Sequence, residues 1–234
     1  MWPPDDDSAK APASTPSCSR AGRLALLLIA LQVMFTLLTY PLLPANIPHT
    51  NLAGQVDGSS PKWLGAIILP ATSICLYLLL HGVFSSTIKR KNERATKKLL
   101  DSLVVALLIF LLILQVAMIA NESGLPVNPL PIIGILTSAL FIFLGNFMGK
   151  LPYKSGAGIK TRWSFASEIV WERTHRLTGW LWVGGGVLGI PLSFVPYAGI
   201  FIVSGIILVI SFVPVLISYM FYRHIVGANK KPLL

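Results

Sequence analysis

One stretch of the chain concentrates the residue types that do chemistry. From Gly145 to Trp180 it reads GNFMGKLPYKSGAGIKTRWSFASEIVWERTHRLTGW. It holds Glu168, Glu172 and His175, together with Lys150, Lys154, Lys160, Arg162, Arg173 and Arg176. On a helix, Glu168, Glu172 and His175 stand at i, i+4 and i+7, on one side with Arg176. Glu172-x-x-His175 has the spacing of half a carboxylate-bridged metal site, which needs a second ligand set from another helix. The remaining histidines are His49, His81 and His224, and none supplies that set. The spacing therefore favours a solvated helix face with a Glu172–Arg176 pair over a metal centre, and no cofactor is expected. His175 can donate a hydrogen bond or change charge near neutral pH. Lys160, Arg162 and Arg176 can bind phosphates or an acidic partner surface.

Catalysis finds less support. There is no G-x-S-x-G elbow around any serine. An enzyme built on His175 and the nearby glutamates would lack a complete catalytic set, so the chain is read as a non-enzyme. Asn146, near the cytoplasmic end of the fourth span, and Asp101 are the best polar candidates, and helix-end capping or contact with the basic loop is the reading favoured for both.

The elements that hold this stretch are membrane spans. Hydrophobic residues make up 54% of the 234 residues and charged residues 12%, about half the usual charged share of roughly 25%. A soluble fold would lack a polar surface, and a disordered chain would lack the apolar content. Crossing the hydrocarbon takes about 20 apolar residues. Six segments qualify: 24–43, 63–85, 102–120, 129–148, 177–195 and 198–222, none with a charge in its interior. They are too long and too uniformly apolar for barrel strands, and an open sheet cannot cross lipid. The expected fold is all-α and polytopic, with six transmembrane helices and a short interfacial helix in the fourth-to-fifth connection.

All but Lys62 of the 19 lysines and arginines fall on one side if both termini lie there. The positive-inside rule makes that side the cytoplasm, in a multi-pass protein of the cytoplasmic membrane. The net charge of +10 then reflects topology and contact with the lipid bilayer, not nucleic acid. Residues 1–21 read as a disordered tail and 225–234 as a second tail. Residues 22–120 form an N-terminal three-helix segment with an external loop at 45–62, and 121–224 a second three-helix segment. Cys18 and Cys75 are expected to be unpaired.

A connection as long as that between the fourth and fifth spans is a candidate functional element. Gly156 and Gly158 are suited to positive φ in a turn. Ser164 is expected to cap a helix starting at Phe165. Ala166, Val170, Trp171, Thr174 and Leu177 would share its apolar side, and Trp163 and Trp171 would anchor it at the headgroups. Gly145 and Gly149, and Gly185 and Gly189, each form G-x-x-x-G, a pattern for close helix packing. Pro70, Pro191 and Pro214 are expected to kink their helices.

GNFMGK followed by GIKTRWSFASEIVWERTHRLTGW resembles the signature loop of the SdpI family of bacterial immunity proteins. There the loop reads like GNYMGK, then an Asn shortly before GIRTPWTL, then a W-x-x-x-H-R helix. The matching positions are Gly145, Asn146, Met148, Gly149, Lys150, Gly158, Ile159, Thr161, Trp163, Trp171, Thr174, His175, Arg176 and Gly179. Lys160 stands where Arg is usual, Arg162 where Pro is usual and Lys154 where the Asn is expected. The loop LPANIPHTNLAGQVDGSSPKW resembles a short domain of unknown function often fused before this one, with His49 one residue short of the family spacing.

The resemblance implies an integral membrane protein that protects a cell from a membrane-active peptide toxin met on the external side. It also implies sequestration of a cytosolic repressor at the cytoplasmic loop. The binding or signalling residues would be Asn146, Lys160, Thr161, Arg162, Trp163, Trp171, His175 and Arg176. A small transporter or lipid-handling protein is the alternative reading, and the lack of mid-membrane charge weighs against ion coupling.

Overall fold

A computed structural model describes residues 20–50, 56–87, 93–155, 157–196 and 198–228. It contains six long helices and one small hairpin. The helices are α1 (Arg20–Thr39), α2 (Lys62–Thr87), α3 (Glu93–Glu122), α4 (Pro129–Met148), α5 (Glu168–Leu192) and α6 (Gly199–Ala228). The hairpin strands are β1 (Asn46–Thr50) and β2 (Val56–Pro61).

The all-α, polytopic expectation holds, with six long helices among the described residues, but six spans were expected and α5 is not one by length and composition. Five helices, all but α5, are long and apolar enough to cross a membrane by length and composition. Their outward side chains are large and apolar: Leu27, Leu37, Phe212 and Leu216 are all about two-thirds exposed. In water such a surface would be a severe liability, whereas lipid tails solvate it at no cost.

Helix α5 differs because its first turns carry Glu168, Glu172, Arg173, His175 and Arg176. It packs between α4 and α6. Its buried positions are mostly small or polar, among them Thr174, Thr178, Gly179, Gly185, Gly186 and Gly189. A helix shielded by two neighbours needs less apolar surface of its own. Glycines let those neighbours approach, as the two G-x-x-x-G patterns suggest. A Cβ on Gly186 would meet the Ser138 carbonyl oxygen at 2.6 Å, and one on Gly185 would meet Ile210 Cδ1 at 2.5 Å.

Several sequence boundaries need correction. The interfacial helix is not a separate element starting at Phe165. Ser164–Ala166 is a single 3-10 turn, and the helix begins at Glu168 and runs unbroken to Leu192. Residues 20 and 21 are already helical, as are 225–228. The rest of the two expected tails, 1–19 and 229–234, lies outside the described residues, as do Cys18 and Gly156. Cys75 is a free, exposed cysteine. The loop at 45–62 contains an antiparallel hairpin with His49 opposite Gly58 and a register shift between His49 and Thr50. Helices α2 and α6 continue through Pro70 and Pro214, and Pro191 falls in the last turn of α5.

Candidate functional site

The connection from α4 to α5 folds into a compact cap over the start of α5. Its anchor is Trp171, fully buried one turn into the helix. Leu99 of α3 and Leu151 are buried with it, and Phe147, Met148, Tyr153, Ala157 and Phe165 pack around them. The indole Nε1–H donates to the Leu151 carbonyl at 3.1 Å, so no polar atom of the ring is left bare. Trp171 therefore sits inside the protein and not at the headgroups, correcting the sequence expectation.

His175 lies one turn further along, stacked on Trp171 with ring centroids 4.0 Å apart. It was expected beside Glu168 and Glu172, but only 1% of its surface is exposed. Its Nε2 accepts the backbone N–H of Ile159 at 2.9 Å. That donor excludes a proton on Nε2, so the ring is the Nδ1–H tautomer and donates to the Trp171 carbonyl at 2.9 Å. His175 precedes the apolar part of α5. Burial lowers its pKa from the ordinary 6.5, against the opposing pull of the Trp171 carbonyl. Both ring nitrogens are occupied and the imidazole is held neutral.

Gly158 is the counterpart of this bond. It adopts φ +112°, and a Cβ there would fall on His175 Nε2. Only glycine lets residues 158 and 159 reach the imidazole. Lys154 also has a left-handed backbone, φ 59°, unusual for a residue other than glycine or asparagine.

The 3-10 turn is knotted by Ser164. Its buried hydroxyl donates to the Ile159 carbonyl at 2.8 Å and accepts the Thr161 N–H at 3.0 Å. Thr161 Oγ1 accepts the Ser164 N–H at 3.2 Å. Ser164 thus closes the loop and does not cap a helix. Tyr153 Oη donates to the Phe165 carbonyl at 2.6 Å. Trp163 ties the loop to α6: its Nε1–H donates to Ser218 Oγ at 2.5 Å, and its ring lies 5.5 Å from Tyr219.

The candidate residues thus divide into two groups. Trp171 and His175 are interior, with Thr161 and Trp163 half-buried beside them. Lys160, Arg162 and Arg176 are exposed, as are Lys150, Lys154 and Arg173. Asn146 is exposed on α4 and donates back to the Ile142 carbonyl at 2.9 Å, away from this network. The Glu168–Glu172–His175 set is not assembled, because the glutamates point outward while His175 points in. No group of three or more His, Cys, Asp or Glu among the described residues could hold a metal ion.

Sequence reasoning missed Ser164 as the knot, Tyr153 as a strut and Ser218 as the partner in α6. Ser218 had a signal, since a serine in an apolar span wants a partner on a neighbouring helix. The Leu151 carbonyl and the Ile159 N–H had none, because backbone groups carry no sequence mark.

Residues 150–222 match the SdpI/YfhL protein family, and residues 27–74 match a domain of unknown function, DUF1648. The first match covers the cap, α5 and most of α6. The chain is also similar to the immunity protein SdpI of Bacillus subtilis (strain 168). The two are 26% identical over 207 residues, which is 88% of this chain and 98% of that relative. No solved structure matches the chain.

Proposed function

We infer from the SdpI/YfhL family to which residues 150–222 belong that this multi-pass membrane protein is an immunity protein, protecting the cell that makes it from a membrane-active peptide toxin. The observation that carries this reading is the match to the Bacillus subtilis immunity protein along nearly the whole of both chains. In this reading the α4–α5 cap and both termini face the cytoplasm, because the basic residues gather there. The hairpin end faces outward and meets the toxin.

The cap is the output surface. Trp171 and His175 give it shape, and the exposed Lys160, Arg162 and Arg176 make the contacts, with an acidic partner such as a cytosolic repressor or with headgroup phosphates. No cofactor enters this mechanism. A repressor held at the membrane would be released when the toxin is absent.

Deleting the gene in the native host and co-culturing the deletion strain with its parent tests the function. The deletion strain is expected to be outcompeted by killing, and a plasmid copy of the gene to restore survival. Equal survival of the two strains under toxin-producing conditions would refute immunity.

A further inference from the structure

A cavity of about 680 Å³ runs along the crevice between α3 and α4, with the start of α1 at one end. That lies within the range of small-ligand sites, roughly 300–1,000 Å³. Ala106 of α3 and Ala139 of α4 line it, and their short side chains leave a space bordered by Phe110 and Phe143. Ala139 is exposed, so no side chain of the protein covers it.

The length of the crevice matches a lipid tail. Its α3 lining runs from Asp101 to Ile113, about 18 Å at a rise of 1.5 Å per residue. One leaflet of the hydrocarbon core is about 15 Å deep, half of roughly 30 Å. The crevice therefore starts at one membrane surface and ends near the bilayer middle.

Its polar lining gathers at a single end. Arg20, the first residue of α1, lies there with Asp101 and Ser102 of α3, and every other described lining residue is apolar. Arg20 is exposed and Asp101 half-buried. Among the described residues neither side chain is in an ion pair, with the other or with a third group. The Ser102 hydroxyl donates to the Lys98 carbonyl at 2.8 Å, which leaves its oxygen as an acceptor.

Any lipid tail would fill the apolar wall, so the polar end decides which lipid stays. A guanidinium holds a phosphate through paired N–H donors. A carboxylate and a hydroxyl oxygen beside it accept the N–H groups of a primary ammonium. A headgroup with a phosphate and no cation would meet Arg20 but set its charge beside Asp101.

We propose that the α3–α4 crevice binds phosphatidylethanolamine, with one tail along Ala106 and Ala139, the phosphate on Arg20 and the ammonium on Asp101 and Ser102. The site stands whether or not the protein confers immunity.

The test is native mass spectrometry of the full chain, released from detergent after incubation with equal amounts of phosphatidylethanolamine and phosphatidylglycerol of matched tails. The chain is expected to retain phosphatidylethanolamine about tenfold in preference, the scale of one hydrogen bond to a charged group. Asp101→Asn should remove that preference, and Arg20→Gln should lower retention of both lipids. Ala139→Phe, which fills the crevice from an exposed position, should abolish retention while the helical spectrum is kept. Phosphatidylethanolamine carrying a diazirine in its tail should label residues within 105–113 and 136–143. Equal retention of the two lipids, an unchanged preference in Asp101→Asn, or label confined to other outward residues such as Leu208 and Phe212 would overturn the proposal. Should Ala139→Phe fail to fold, Asp101→Asn decides by itself, because it adds no bulk.

Discussion

Gly145 of α4 and Gly179 of α5 meet backbone to backbone, and a Cβ on either would stand 2.8 Å from the other's carbonyl oxygen. This crossing sets the distance between the two helices that flank the cap. It also decides which glycines tolerate change. At Gly145 and Gly179 the obstacle is backbone, which cannot move aside. At Gly185 it is the tip of Ile210, which can rotate, and at Gly184 nothing lies within 4 Å.

Gly145→Ala and Gly179→Ala should therefore each destabilise the protein by about 1–3 kcal/mol, the usual cost of overpacking. Gly185→Ala should cost less, and Gly184→Ala should raise the helix propensity without penalty. Melting temperatures in detergent give the order directly. A Gly145→Ala variant as stable as Gly184→Ala would mean that the helices are not in backbone contact.

The left-handed backbone at Lys154 predicts a gain. A residue with a Cβ loses roughly 1–2 kcal/mol in this conformation, and asparagine adopts it more readily. Lys154→Asn should raise stability by up to about 1 kcal/mol. Lys154→Val should lower it, because a branched Cβ fits this region worst. Thermal unfolding of the three proteins side by side measures the effect. An Asn variant less stable than the Val variant would contradict the assigned backbone.

The neutral His175 predicts an acid-sensitive cap. Its pKa in the fold lies below the ordinary 6.5, so near neutral pH both folded and unfolded chains carry it uncharged. As pH falls through 6.5 the unfolded chain takes up a proton that the folded one refuses. Stability then drops until the lowered folded pKa is reached, and levels off below it. The protection factor of the Ile159 amide, its exchange rate relative to the intrinsic rate at each pH, should fall over that window, and His175→Gln should remove this pH dependence. A protection factor with the same acid response in both proteins would exclude His175 as its source.

Much of this architecture was legible in the sequence because the bilayer is a demanding solvent. Runs such as 129–148 had to be helices, and α4 begins and ends at those residues. The glycine pairs were legible for the same reason, since apolar helices pack by shape. The cap was legible only as a dense stretch. Helical spacing put His175 beside Glu172, because a periodicity of 3.6 assumes that the polar face is the solvated one. The Ile159 N–H and the Trp171 carbonyl reverse that assumption, by giving the imidazole partners inside. Ser164 looked like a helix cap because serine before a periodic run usually is one. Here its hydroxyl is bound to the Ile159 carbonyl and the Thr161 N–H, and the helix starts four residues later. The hairpin at 46–61 gave no periodic signal, with Pro48 in one strand and Gly58 in the other.

The division of labour within the cap yields a contrast between variants. Trp171→Ala removes the buried anchor and should cost about 3–5 kcal/mol, with reduced protein levels in the membrane. Trp163→Phe removes only the bond to Ser218 and should cost about 1 kcal/mol. Membrane levels by immunoblot separate these outcomes. Normal levels of Trp171→Ala would show that the cap does not depend on its aromatic core.

The most direct measurement is survival of the deletion strain, in co-culture with its parent, when it carries the chain with Lys160, Arg162 and Arg176 all changed to Glu. These side chains are exposed, so the protein should reach the membrane at wild-type levels. The account predicts that protection is lost at those levels, because the basic surface is what the cap presents to its partner. Full protection at normal membrane levels would contradict it.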